Sequence, residues 1–138
     1  MSEAYIPAAM RRQVAERAGY CCEYCRLAEA DMFLGCHIDH VISEKHGGLT
    51  QPENLAYACV FCNLHKGSDI ASLTGAGELV ALYNPRRQRW QEHFRLQGAL
   101  ILPTTTVGEV TVRLLQFNHP DRLLEREALL VVNRYPPA

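Results

Sequence analysis

No stretch of this chain approaches the ~20 consecutive apolar residues that cross a bilayer as a helix, so a membrane-spanning class is not expected. The start, Met1 to Pro7, lacks the basic-then-apolar order of a secretion leader, and a cytoplasmic protein is the expectation. Surplus positive charge is missing too: 14 Lys and Arg stand against 15 Asp and Glu, a formal charge of −1. A chain with this balance does not hold a polyanion by bulk charge, so any such contact needs a local basic patch. Internal repeats and low-complexity linkers are absent, and the 138 residues read as one domain, 1–138. Disulfides are not expected, because the six cysteines of a chain in a reducing compartment seldom pair.

What is present begins with enough apolar residues, 48 %, to build a core. A core of this size still gains from a structural metal. Ala8 to Ala18 reads as a helix with Met10, Val14 and Ala18 on one face, stopped at Gly19. Met32 to Ile42 is strand-like, Gly47-Gly48 marks a turn, and a short helix runs from the second cysteine turn toward Gly67. Glu78 to Tyr83 is a short apolar run, strand or helix, closed by Asn84-Pro85. Trp90 to Leu102 reads as a hairpin turning at Gln97-Gly98. Thr106-Val107-Gly108-Glu109 fits a capping box ahead of a helix with Val110, Leu114 and Phe117 on one stripe. Pro120 opens a last helix that runs to about Val132.

The cysteines carry the most specific pattern. Cys22-x-x-Cys25 and Cys59-x-x-Cys62 are two knuckles, each able to offer a pair of thiolates to one metal. Together they complete a tetrahedral, closed, structural zinc shell. Reduced buried cysteines or a redox pair are the competing readings, but a redox motif needs no second copy. Cys21 and Cys36 are left over and read as buried thiols. A plain zinc ribbon separates its knuckles by ~15–20 residues. Here the interval from Arg26 to Ala58 is longer, so a folded insert lies between them.

That insert brings Asp39 and His40 side by side, followed by apolar Val41-Ile42. A carboxylate suits a hard divalent cation, and a neutral imidazole suits proton abstraction near neutrality. Asn63, just after the second knuckle, adds a neutral oxygen ligand, and Lys66 on the same helical face could meet a phosphate. Metal, base and cation are the parts of phosphodiester hydrolysis.

The ordered run Cys22-x-x-Cys25, Asp39-His40-Val41-Ile42, Gly47-Gly48, Asn54-Leu55, Cys59-x-x-Cys62-Asn63-x-x-Lys66-Gly67 resembles the HNH endonucleases, also called ββα-metal or His-Me finger nucleases. The resemblance covers roughly residues 20–68. It implies an α+β fold: a ββα-metal finger braced by the two CxxC zinc knuckles, with an N-terminal helix. A C-terminal extension over 69–138, a hairpin plus helices, would pack on it. It implies that His40 is the general base and that Asn54 ties down the loop and orients that histidine. Asn63, where a last histidine often stands, would hold the catalytic cation with Asp39. The position of a further histidine ligand in some relatives is Gly67, which favours magnesium or manganese over a tight catalytic zinc. One geometric difficulty follows. Neighbouring strand residues point to opposite faces, so Asp39 and His40 reach one phosphate only if the strand is distorted or the phosphate is flanked from both sides.

The expected function is therefore a metal-dependent DNA endonuclease. The alternative is a non-catalytic, zinc-braced module that binds nucleic acid or protein. A third reading keeps the nuclease and gives it structured or single-stranded nucleic acid. Arg86, Arg87 and Arg89, beside Trp90 and His93, form the densest basic-aromatic cluster and are candidate nucleic-acid contacts with Lys66; Trp90 is weighted toward the core. Arg11, Arg12 and Arg17 form a weaker patch; His37 reads as structural, His46, beside the glycine turn, as solvated, and His65 as no ligand.

Overall fold

The computed structural model describes residues 5–138; residues 1–4, part of the start searched for a leader, lie outside the described residues. Helix α1 (Ala8–Arg17) begins behind Pro7, whose fixed φ suits a helix start, and closes at Ala18 before Gly19 in the left-handed region. Its expected apolar face is the one that packs: Val14 is fully buried, with Met10 and Ala18 beside it, against Leu55 and Tyr57.

Strands β1 (Cys36–His40) and β2 (Leu55–Cys59) pair antiparallel from Cys36 opposite Cys59 to His40 opposite Leu55. Helix α2 (Val60–Lys66) follows β2 directly, and the three elements make the ββα unit. β2 is buried along its whole length because both its faces are covered. Leu55 and Tyr57 face α1, while the small Ala56 and Ala58 join the main core. β1 is shorter than the expected Met32–Ile42 strand. A 3-10 turn at Glu29–Asp31 and a loop precede it, and Glu29 fixes its start by accepting the Cys36 N–H at 2.8 Å.

The C-terminal half adds two hairpins and three helices. β3 (Ala71–Leu73) pairs with β4 (Leu79–Ala81), which settles the apolar run at 78–83 as a strand. The segment expected to be all hairpin opens instead with the helical turn α3 (Trp90–His93), and the hairpin proper is β5 (Phe94–Gln97) with β6 (Leu100–Pro103). α4 (Thr106–Leu114) is capped by Thr105, not Thr106: the Thr105 hydroxyl accepts the Gly108 N–H at 3.1 Å. Glu109 thus leaves the capping-box position, and its carboxylate accepts the Gly75 N–H at 2.7 Å. α5 (Pro120–Val131) starts on Pro120 as expected.

One buried cluster runs from the cysteines and Tyr24 through Tyr83, Phe94, Ile101 and Val110 to Phe117 and Tyr135. Two polar anchors fasten this half to the first knuckle: Trp90 Nε1 donates to the Tyr24 carbonyl at 2.7 Å, and the Tyr135 hydroxyl to the Cys25 carbonyl at 2.8 Å. The fold is α+β, with small antiparallel hairpins and no helix long and apolar enough to cross a membrane among the described residues.

Candidate active site

The two knuckles come together as their spacing implies. The sulfurs of Cys22, Cys25, Cys59 and Cys62 all lie within 4.8 Å of one another, and all four residues are buried. Within each knuckle the fourth residue's N–H donates to the first sulfur, Cys25 N to Cys22 Sγ and Cys62 N to Cys59 Sγ, both at 3.4 Å. Cys25 Sγ and Cys59 Sγ stand 3.8 Å apart, and zinc with sulfurs at ~2.3 Å in a tetrahedron sets sulfurs about 3.8 Å apart. The site fits structural zinc.

The cluster has a fifth participant that the spacing does not announce. Arg122 of α5 is buried, and its Nη2 lies 3.0 Å from Cys25 Sγ and 3.5 Å from Cys59 Sγ. Hydrogen bonds from the other thiols and the Arg122 guanidinium hold Cys25 well below the ordinary thiol value, whereas burial pushes Cys22 and Cys62 well above it. Burial opposes the charge of Arg122, but the thiolates of Cys25, Cys62 and Cys59 raise its pKa. Four thiolates around a divalent ion carry net negative charge, and one buried guanidinium offsets part of it. Cys21 and Cys36 stay out of the cluster, partly buried as thiols, with burial raising both.

Between the knuckles the loop from Val41 to Asn54 is closed on itself by the Asn54 side chain. Asn54 accepts from Ile42 N at 3.0 Å and donates to Ile42 O at 2.8 Å and Leu49 O at 2.9 Å. Gly48 makes this closure possible: a Cβ there would overlap the Ile42 carbonyl oxygen and crowd the Asn54 amide. His40 meets the same loop, its Nε2 2.9 Å from the Thr50 hydroxyl. Asn54 and His40 thus both contact one loop.

Asp39 lies elsewhere. The β1–β2 register is unbroken through Asp39 opposite Ala56 and His40 opposite Leu55, so of the two alternatives the strand distortion is not seen. The pleat turns the two side chains to opposite faces. Asp39 is 4 % exposed; its Oδ2 accepts from the Tyr24 hydroxyl at 2.7 Å and its Oδ1 from the Lys66 ammonium at 3.2 Å. Burial raises the Asp39 carboxyl above its ordinary range, against the pull of Lys66 and Tyr24. Lys66 is 2 % exposed and also donates to the His40 carbonyl at 3.1 Å. The expectation that Lys66 meets a phosphate is therefore corrected: its ammonium is spent inside the protein. Asn63 stands partly buried on α2, and the side-chain partners of Asp39 are Tyr24 and Lys66, not Asn63.

The arginine patch divides. Arg86 is only 12 % exposed and ion-paired with Glu23, while Arg87 and Arg89 are exposed. Trp90, 6 % exposed, is a core residue and not a stacking platform. His37 and His46 are exposed, and His65 Nδ1 lies 2.8 Å from the Phe61 carbonyl one turn back. Thr50, Tyr24 and Arg122 escaped sequence reasoning because each finds its partner only through the fold; a buried tyrosine beside a CxxC turn carries no local sign that it faces a carboxylate.

Residues 22–69 match the family model described as HNH endonuclease, so the segment spanning both knuckles is an HNH segment. The match points to a nuclease-type function and a nucleic-acid substrate. No curated protein and no solved structure matches the chain.

Proposed function

We propose that this chain is an endonuclease that hydrolyses DNA phosphodiester bonds, with His40 taking the proton of the attacking water. One observation carries the reading: a partly exposed histidine ends β1 inside the HNH segment, facing a loop fixed by Asn54. In that step the water oxygen bonds to phosphorus as an ester phosphorus–oxygen bond breaks, and the proton passes to a neutral imidazole nitrogen. Thr50 orients the ring, and Asn54 acts as a positioning residue through the loop. The extension over 69–138 belongs to the same domain and serves the 20–68 core. Zinc-bound thiolates suit a cytoplasmic site of action.

Magnesium or manganese enters through the family resemblance, with Asp39 and Asn63 as its holders. Such a cation would supply polarisation of the phosphoryl oxygen. The donor set does not fit it in the arrangement described, because Asp39 is buried and both its oxygens are engaged by Tyr24 and Lys66. A divalent ion beside an ammonium is repelled, so a cation at Asp39 requires Lys66 to withdraw. The same closed pair is the observation that favours the alternative, a non-catalytic zinc-braced binding module.

Supercoiled plasmid incubated with the protein, with and without magnesium or manganese, separates the readings. The wild type is expected to nick. His40→Ala is expected to keep zinc and melting temperature while losing ~10²–10⁴-fold in rate. Full-rate nicking by His40→Ala refutes the base assignment. A wild type inert with either metal supports the binding module.

A further inference from the structure

We infer that the cleft between the end of α1, the Val41–Asn54 loop and the Asn84–Arg87 turn is a seat for nucleic-acid backbone phosphate, with Arg17 and Arg87 as its cationic arms and Arg86 as its floor. The choice of phosphate rests on the endonuclease reading; the concave cationic site does not. The cleft encloses about 860 Å³ and is lined by Arg17, His46, Gly48, Asn54, Arg86 and Arg87 among others.

Its charges are held in place and incompletely matched. Arg17 donates to two neutral carbonyls, Pro52 at 2.9 Å and Leu55 at 2.6 Å, which fix the guanidinium without neutralising it. Burial and the nearby Arg86 charge lower the Arg17 pKa, partly countered by Glu23 and Glu53, so the two guanidiniums repel one another. Arg86 has one ionic partner, Glu23; its Nε and Nη1 are closed off from solvent and find no acceptor, so it contributes charge beneath the cleft rather than a direct contact. Arg87 is exposed on a turn whose Asn84 side chain accepts the Arg86 N–H at 2.9 Å and whose Asn84 carbonyl accepts from Arg87 N at 3.1 Å. Glu53 also lines the cleft and is its one carboxylate. Three guanidiniums against Glu23 and Glu53 leave the cleft cationic in a chain of net charge −1. An anion with several oxygens relieves that repulsion, and the exposed guanidinium fork of Arg87 can match phosphate oxygens bidentately.

Position decides what kind of anion. Ile42, Leu49 and Asn54 line the cleft, and these are the residues that close the loop facing His40. A strand whose phosphate sits in the cleft therefore runs past that loop. Arg89 and Lys66 have no part in it: neither lines the cleft, and Lys66 is buried against Asp39.

Fluorescence anisotropy of a labelled DNA duplex across salt concentrations, with zinc-loaded full-length protein and magnesium withheld, tests this. Arg87→Gln, an exposed change that leaves the fold intact, is expected to flatten the slope of log affinity against log salt by ~0.9, one phosphate contact. Between 50 and 200 mM salt it should thus lose about 3.5-fold less affinity than the wild type. Arg17→Gln and Arg86→Gln together should flatten it further, and Arg89→Gln should leave it unchanged. An unchanged slope for Arg87→Gln, or equal flattening by Arg89→Gln, overturns the cleft; if the wild type nicks plasmid in that case, the endonuclease reading stands. Displacement by polyglutamate as strong as by DNA overturns phosphate selectivity. A wild type that neither binds nor nicks DNA overturns both.

Discussion

Two buried polar clusters flank the β1–β2 hairpin and solve the same problem differently. In one, Cys22, Cys25, Cys59 and Cys62 bring four sulfurs to a point, and the buried Arg122 offsets part of their charge. In the other, the carboxylate of Asp39 meets an ammonium and a hydroxyl of the same chain, and nothing from outside is needed. The first is arranged to hold a metal; the second is complete as it stands. A cluster of ligands alone therefore points to a cofactor, whereas a single carboxylate beside a histidine points to one only when its counter-charge is absent.

The sharpest way to break this contrast is at the zinc. Cys59→Ser, or stripping with a strong chelator, is expected to abolish folding of the knuckle region, because structural zinc contributes ~10–16 kcal/mol to such sites. Elemental analysis and thermal melts check it; a folded protein with no zinc defeats the assignment. At the second cluster the expected cost is smaller. Lys66→Met leaves Asp39 a buried, unpaired carboxylate and should cost about 3–5 kcal/mol near neutrality, read by urea denaturation. The sign with pH follows from burial, which raises the Asp39 carboxyl. Its neutral form is favoured in the folded variant, so the deficit should shrink as pH falls through that raised value and return as pH rises. A deficit independent of pH removes Asp39 as its cause. The smallest effect belongs to the link between the cysteine cluster and the C-terminal half. Arg122→Gln removes a charge-assisted contact worth about 1.5–3 kcal/mol, expected as roughly 10- to 100-fold faster zinc transfer to a chelator. An unchanged rate makes Arg122 a packing residue only.

Much of the candidate site was legible because its signals are local. Each CxxC places two ligands by a single turn, and Gly48 and Asn54 lie six residues apart on the one loop they close. The face of α1 followed from 3.6-residue periodicity, and Val14 is where it was expected. The cap of α4 slipped by one residue because Glu109, three residues after Thr106, marks that threonine in the sequence, whereas in the fold Glu109 accepts from Gly75 and Thr105 is the cap. β1 began later than its apolar run because Glu29, distant from the pattern, fixes its first N–H.

The amino-acid order by itself determined the four-cysteine cluster, the HNH segment, the loop staple at Asn54 and the histidine at the end of β1. Spacing within a turn or a strand is enough to bring such groups together. Only the tertiary structure decided which charges remain available. Lys66 meets Asp39 across 27 residues and Arg122 meets Cys25 across 97, while Arg17 and Arg86 converge on one cleft from opposite ends of the HNH segment. No local pattern encodes those meetings, because the energy of a buried charge depends on what packs around it rather than on its neighbours in the chain.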